Sequence, residues 1–143
     1  MGTRVGVFPS PSFLNTYAYF EARNESASIT VGQDTWINNN FCCIAEHTSV
    51  SIGSRCLIGA NVEITDSDFH GLAVNDRARS RAEWARAVSI GDDVFIGSNV
   101  RILKGANIGR GAVIANSSVV ASDIPEYAIA AGVPAKIVRE IKM

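Results

Sequence analysis

Within Thr65-Asp66-Ser67-Asp68-Phe69-His70-Gly71, two carboxylates and an imidazole stand at alternate positions. A neutral imidazole takes a proton near pH 7, so His70 is a candidate general base, a role typically worth ~10²–10⁴-fold in rate. Asp66 and Asp68 have two open readings: they cap a turn, or one of them orients the imidazole or binds acceptor hydroxyls. Glu46, from a second irregular stretch, is the other acid that could take that part. The second histidine, His47, reads first as a loop residue and second as a substrate contact.

Chemistry of this kind needs a rigid support, and the flanking sequence supplies one. Ile90, Ile96, Ile102, Ile108, Ile114 and Val120 recur every six residues. Residues six apart on a helix are separated by about 240°, which spreads them over three faces and leaves no apolar stripe. Short strands interrupted by turns fit instead. Val88 with Ile90, Val94 with Ile96 and Val100 with Ile102 are two apart and share one strand face. Between these pairs stand Asp93, Asn99, Gly105, Gly111, Ser117 and Asp123, mostly residue types that tolerate a left-handed backbone. The same register occurs at Ile52, Ile58 and Ile64 with Asn61, and at Val31, Ile37 and Cys43 with Asp34 and Asn40. Three turns close a triangle, and stacked triangles make a parallel β-helix, whose sequence signature is a hexapeptide period.

The spacing therefore predicts an all-β chain of about four coils, a prism about 20 Å tall at ordinary strand spacing. Open ends on so short a solenoid favour oligomerisation. Two departures break the array: nine residues separate Cys43 from Ile52, and 26 separate Ile64 from Ile90. The second predicts a protruding loop over 71–87, and loops this long are commonly functional. Its arginines, Arg77, Arg79, Arg81 and Arg86, read first as a solvated surface and second as an attraction for an anionic ligand. Trp84 beside them is a candidate stacking surface for a sugar or an adenine. The reading is one domain over 1–143, with an N-terminal cap over 1–28, hexads over 29–125 and a C-terminal segment over 126–143. In the cap, Phe8, Phe13 and Leu14 cluster around Pro9 and Pro11, which argue against a helix there.

Composition excludes several classes. Thirteen Lys and Arg against fourteen Asp and Glu give a formal net charge of −1, so nothing pulls the whole molecule towards nucleic acid. No apolar run approaches the ~20 residues that span a bilayer, and no secretory signal opens the chain, so a cytoplasmic protein is expected. Cys42, Cys43 and Cys56 are odd in number and lack metal-ligand spacing, which points to free thiols and no metal.

An ordered set of segments then resembles a known family: NNN at 38–40, DSDFH ending at His70, GDDVFIGSNVRILKGANIG at 91–109 and AAGVPAKIVREI at 130–141. Together with the hexads it is similar to the left-handed β-helix acyltransferases, in the branch of maltose, galactoside and xenobiotic acetyltransferases and surface-polysaccharide O-acetyltransferases. The resemblance covers about 29–141. It implies transfer of acetyl from acetyl-CoA to a hydroxyl, or an amine, of a sugar or glycan precursor, by a homotrimer with sites between subunits.

By position it makes His70 the general base, puts Asn38 near the acyl and acceptor groups, and assigns the Ser98 amide to the thioester oxygen. Phe95 stands where relatives often have tryptophan. Asn116, Ser118 and Ala121 would line the pantetheine groove, and Lys136 and Arg139 would meet the CoA phosphates. The chain departs from the family in reading Ala115-Asn116-Ser117 for Gly-Ala-Gly, and in Gly71 where sugar acetyltransferases commonly have proline. Two other classes remain: a non-catalytic β-helix scaffold, and a metal-dependent hydratase like the γ-type carbonic anhydrases, whose three-histidine site two histidines cannot fill.

Overall fold

The computed structural model describes residues 2–6 and 17–142; the aromatic cluster around Phe8, Phe13 and Leu14 lies outside them. Sixteen strands and two short 3₁₀ turns are formed among the described residues. The strands are β1 (Arg4–Val5), β2 (Tyr19–Ala22), β3 (Ser28–Val31), β4 (Trp36–Ile37), β5 (Cys42–Ala45), β6 (Ser49–Ile52), β7 (Leu57–Ile58) and β8 (Glu63–Thr65). After the long interruption follow β9 (Val88–Ile90), β10 (Phe95–Ile96), β11 (Arg101–Ile102), β12 (Asn107–Ile108), β13 (Val113–Ile114), β14 (Val119–Val120), β15 (Ala128–Gly132) and β16 (Ala135–Glu140).

They lie in three sheets, ordered β1-β4-β7-β10-β13-β15-β16, β14-β11-β8-β5-β2 and β12-β9-β6-β3. From β1 to β14 consecutive strands visit the first, second and third sheet in rotation, β15 and β16 both join the first, and all pairings are parallel except β15 with β16. The chain is thus a parallel β-helix. An isolated bridge from Ile108 to Ile124 carries the third sheet one step further. Pairing begins earlier than the hexads do, since β1, β2 and β3 already stack on β4, β5 and β6.

Every hexad aliphatic from Ile90 to Val120 is inside, as are Val88, Val94, Val100, Ala106 and Ala112. Registers such as Ile64↔Ile102↔Val120 and Ile52↔Ile90↔Ile108 stack these side chains in columns, so each coil buries its apolar pair on the next. Asp34, Asn40, Asn61, Asp93, Asn99, Gly105, Gly111 and Ser117 all adopt positive φ, as the turn reading requires, whereas Asp123 does not. Arg55 takes the same conformation at φ 57°. Its guanidinium spans Asp93 at 2.7 Å and Asp92 at 3.1 Å on the next coil.

At the corner after Ile52 the coils approach so closely that a Cβ built on Gly53 would meet the Gly91 carbonyl group at 2.5 Å. No side chain fits there. No helix among the described residues is long and apolar enough to cross a membrane.

Both irregular stretches fall on one edge of the prism, between the second and third sheets. In register, Phe20, Cys43 and Ile64 occupy one column, and Val31, Ile52 and Ile90 the next. The chain between these columns is long in three successive coils, and it returns to six residues from Ile102 to Ile108. The neck of the longest excursion is closed by the Arg86 amide, which donates to the Asp66 carbonyl at 2.9 Å.

Candidate active site

His70 is exposed at the base of this excursion. Its Nδ1 lies 3.0 Å from the Gly71 carbonyl oxygen. A carbonyl only accepts, so Nδ1 carries the hydrogen and Nε2 keeps a lone pair, the arrangement a general base needs. Gly71 itself is buried, and its amide donates to the carbonyls of Asp76 and Arg79 at 3.2 and 3.0 Å. A Cβ on Gly71 would lie 2.4 Å from Asp76 Cβ and 2.9 Å from the Trp84 ring. Proline at this position would lose the amide as well as clash.

His47 shows the opposite pattern. Ser80 Oγ donates to Glu46 Oε2 at 2.7 Å, so it receives a hydrogen from His47 Nε2 at 3.3 Å. Nδ1 of His47 then accepts from Asn24 Nδ2 at 3.3 Å. Both of its ring nitrogens are engaged, and His47 is a structural residue of the loop.

Neither aspartate touches the imidazole of His70. Asp66 is fully buried, and its carboxylate accepts from the amides of Glu46, His47 and Thr48 at 2.7, 3.0 and 2.7 Å. Of its two sequence readings, the turn cap is the one realised, on the widened turn of the coil beneath. Asp68 sits half-buried where an inward aliphatic would stand in a regular hexad, and it pairs with Lys104 Nζ at 2.7 Å. That pairing offsets the cost of withdrawing a carboxylate from water.

Glu46 is buried and receives hydrogen bonds from Ser67 at 2.5 Å and Ser80 at 2.7 Å, with Arg23 3.6 Å away. It ties the loop to the lower coil. Lys104 ties it to the upper coil, since Nζ also donates to the Trp84 carbonyl at 3.0 Å. Lys104 lies within the 91–109 segment, yet nothing in that segment gives it a role; the register of Ile64 on Ile102 is the signal that places it over residue 66.

Asp68, His70, Leu72, Trp84, Arg86 and Lys104 line one cavity of about 410 Å³, large enough for a sugar ring. The guanidinium of Arg81 covers Trp84 at 5.1 Å, so that ring is already stacked on one side. Among the described residues Arg86 has no carboxylate partner, and its Nη1 donates to the carbonyls of Glu83 and Ala85. Arg81 instead lies 3.5 Å from both Asp76 and Glu83.

The remaining candidates lie away from this cavity within a single chain. Asn38 and Phe95 share a second hollow of about 200 Å³ with Trp36 and Leu57, on the outer face of the first sheet. Trp36, Leu57 and Phe95 are in direct register and all exposed, a continuous apolar column. Ser98 follows at the next corner, where its amide donates to Asn116 Oδ1 at 2.9 Å. Ser118 is fully buried with its hydroxyl accepting from the Gly132 amide at 3.1 Å, so its side chain faces away from any surface groove. Ala121, Lys136 and Arg139 are exposed, and neither cation forms an ion pair among the described residues.

The thiols are unpaired; burial holds Cys43 at a pKa of about 12, which makes it inert. Among the described residues no three His, Cys, Asp or Glu side chains are grouped as a metal ion requires.

Comparison with known proteins adds an independent line. Residues 87–122 match the model described as bacterial transferase hexapeptide (six repeats), and 49–78 match the hexapeptide repeat of succinyl-transferase. The chain is 36% identical to the galactoside O-acetyltransferase of Escherichia coli K12 over 80% of its length and 55% of that enzyme's. It is 34% identical to a polysialic acid O-acetyltransferase of Escherichia coli O1:K1 over 80% of its length and 37% of that enzyme's. Among solved structures, a hexapeptide-repeat acetyltransferase of Vibrio cholerae complexed with acetyl-CoA superposes with a TM-score of 0.71 at 33% identity, covering 83% of this chain and 62% of that one. The chain spans little more than half the length of the first curated relatives it matches.

Proposed function

We infer, for a chain that belongs to the hexapeptide-repeat transferase family, that it moves an acetyl group from acetyl-CoA to a hydroxyl of a sugar or glycan precursor, with His70 as the base. The observation that carries this reading is the 3.0 Å contact of His70 Nδ1 with the Gly71 carbonyl, in a residue that lines a sugar-sized cavity; the tautomer it favours leaves Nε2 to take a proton. The acetyltransferase names of the relatives and the acetyl-CoA bound to the Vibrio cholerae protein support the donor.

In the step proposed, the acceptor O–H gives its proton to Nε2 while its oxygen attacks the thioester carbon. The carbonyl oxygen becomes an oxyanion facing the Ser98 amide, the C–S bond breaks, and the thiolate takes the proton back from Nε2. The exposed Lys136 and Arg139 are the groups to meet the CoA phosphates, and Phe95 with Ala121 would flank the pantetheine arm. Asp68, Trp84 and Lys104 face the acceptor. Asn38 joins from the hollow on the first sheet.

Because that hollow and the His70 cavity are separate within one chain, the reading includes a homotrimer whose subunits close the site between them. The apolar column of Trp36, Leu57 and Phe95 is a surface that such an assembly would cover. The coil is taken as left-handed, with the coil of β1, β2 and β3 added to the four that the hexads predict, residues 71–87 as its one protruding loop and 1–143 as one domain. Cytoplasmic action suits the three unpaired thiols.

The test is release of free CoA thiol from acetyl-CoA with methyl β-galactoside and with oligosialic acid as acceptors. Release above the rate with water is expected for one of them. A protein that releases no thiol with either, and whose melting temperature does not move with millimolar acetyl-CoA, would be the scaffold instead.

A further inference from the structure

The corners of this β-helix cap one another. The amide of Gln33 donates to Ser54 Oγ at 3.1 Å, and the amide of Ser54 to Asp92 Oδ1 at 2.8 Å. At the neighbouring corner the amide of Ala60 donates to Ser98 Oγ at 3.2 Å, and the amide of Ser98 to Asn116 Oδ1 at 2.9 Å. In each case a side chain one coil further on satisfies a turn amide that no strand partner reaches.

The caps are not held equally. Asp92 is fixed a second time by Arg55 at 3.1 Å, and Ser98 has a short side chain wedged between two coils. Asn116 is exposed, and its Nδ2 makes no hydrogen bond among the described residues. One neutral hydrogen bond holds its carboxamide in place.

We propose that Asn116 is a displaceable plug on the acyl-binding amide: its carboxamide oxygen occupies the Ser98 N–H that the thioester oxygen must use, and it swings out when acetyl-CoA is seated. This rests on the proposed reading, in which the Ser98 amide meets the developing oxyanion. One N–H supports one good hydrogen bond, so carboxamide oxygen and acyl oxygen compete for it. The competition is confined to the acyl group. CoA without an acyl carbonyl makes no demand on that N–H, so the plug discriminates between substrate and product rather than narrowing the groove for both.

The experiment compares Asn116→Ala, Asn116→Ser and Asn116→Asp by kcat/KM for acetyl-CoA, with methyl β-galactoside or water as acceptor, and by the dissociation constant of free CoA. Removing a net hydrogen bond of ordinary strength should raise kcat/KM in Asn116→Ala by roughly two- to tenfold, with a smaller change in CoA affinity. Asn116→Ser, too short to reach the amide yet polar, should rise in the same direction. Asn116→Asp keeps the cap with a stronger charge-assisted bond and should fall below wild type.

Equal or lower kcat/KM in both Asn116→Ala and Asn116→Ser overturns the proposal, as does a matching change in free CoA affinity, which would mark a groove-width effect. Failure of the wider reading looks different: wild-type protein would neither bind acetyl-CoA nor release thiol, and the proposal would fall with it.

Discussion

The coils above Ile90 and the excursion between Ile64 and Ile90 solve the same problem, satisfying backbone and polar groups, by opposite means. In the coils the strand amides find carbonyls one turn away, the turn amides find side chains of the next coil, and αL corners stack on one another, as in the ladder of Asn40, Asn61 and Asn99 at 2.7 and 3.1 Å. In the excursion no repeat exists, so particular side chains do the work: Asp66 on three amides, Glu46 on two serines, Lys104 on Asp68 and the Trp84 carbonyl. The periodic part is stiff and chemically plain. The aperiodic part is held at a few points and leaves His70 Nε2 without a hydrogen-bond partner among the described residues, the nitrogen proposed as the base.

The sharpest division of labour is expected between His70 and Ile102. His70→Ala should lower kcat by ~10²–10⁴-fold while leaving the melting temperature and CoA affinity where they are, since the side chain is exposed and bonded only to its own neighbour. Ile102→Ala should cost ~2–5 kcal/mol of stability, because it empties a site 1% exposed between Ile64 and Val120. Denaturant melts and initial rates on both variants check this. A destabilised His70→Ala, or an Ile102→Ala as stable as wild type, would erase the contrast.

Glycine extends the comparison to both regions with one change of atoms. Gly53→Ala places a methyl against the Gly91 carbonyl group and the Asp92 amide, at 2.5 and 2.6 Å, and backbone in a coil has nowhere to go. Overpacking of this kind should cost about 1–3 kcal/mol. Gly71→Ala meets Asp76 Cβ and the Trp84 ring instead, in a segment outside the stacked coils. Its expected signature is a kcat reduced about tenfold with a smaller loss of stability, because the carbonyl that orients His70 moves with the loop.

The same contrast decides how much was legible beforehand. Hexad spacing read out the inward columns, the αL corners other than Asp123 and Arg55, and the point where the chain leaves the prism, because a repeating strand and turn impose one rule on most residues. Ser117 broke the residue-type rule yet obeyed the geometric one, at φ 62°. The loop's supports were not legible. Lys104 looks like any outward corner residue until its coil is stacked on that of Asp66, and Glu46 shows itself as a tie of the loop only once Ser67 and Ser80 are seen to donate to its Oε2. The roles suggested for Asp66 and Asp68 stayed open in the sequence because side chains at alternate positions are shared equally well by a strand face and by a turn.

Lys104 tests whether the upper clasp serves chemistry or only order. Lys104→Met keeps the alkyl stem and removes the ammonium, leaving Asp68 unpaired at the cavity wall. The acceptor KM should rise severalfold with the acetyl-CoA KM unchanged, since Lys104 lines the cavity of His70 and not the hollow of Phe95. An equal rise in both would mean that the loop has come away from the coil as a whole.

The smallest effect belongs to the ionic corner of the coils. Hydrogen bonds from the Ser54 amide and Arg55 hold Asp92 below the usual carboxylate range, and Arg55 followed by Arg110 does the same for Asp93. A carboxylate whose folded pKa is depressed adds stability that is fully present above its unfolded pKa, near 3.8, and is lost as pH falls through the lower folded value. These groups should therefore add no pH dependence between pH 5 and 7, about one unit or more above that range, and should steepen acid unfolding below it. Asp93→Asn removes one of the two depressed groups and the partner Arg55 uses at its strained φ, so its urea midpoint should trail wild type at pH 6 and converge on it as both are acidified. Both carboxylates are half-exposed, so screening keeps the difference small, and it should shrink further in 0.5 M salt, where the Debye length is only about 4 Å. A gap that persists at low pH would mean that Asp93 acts through its αL backbone rather than its charge, and that even the periodic half of the molecule relies on local geometry.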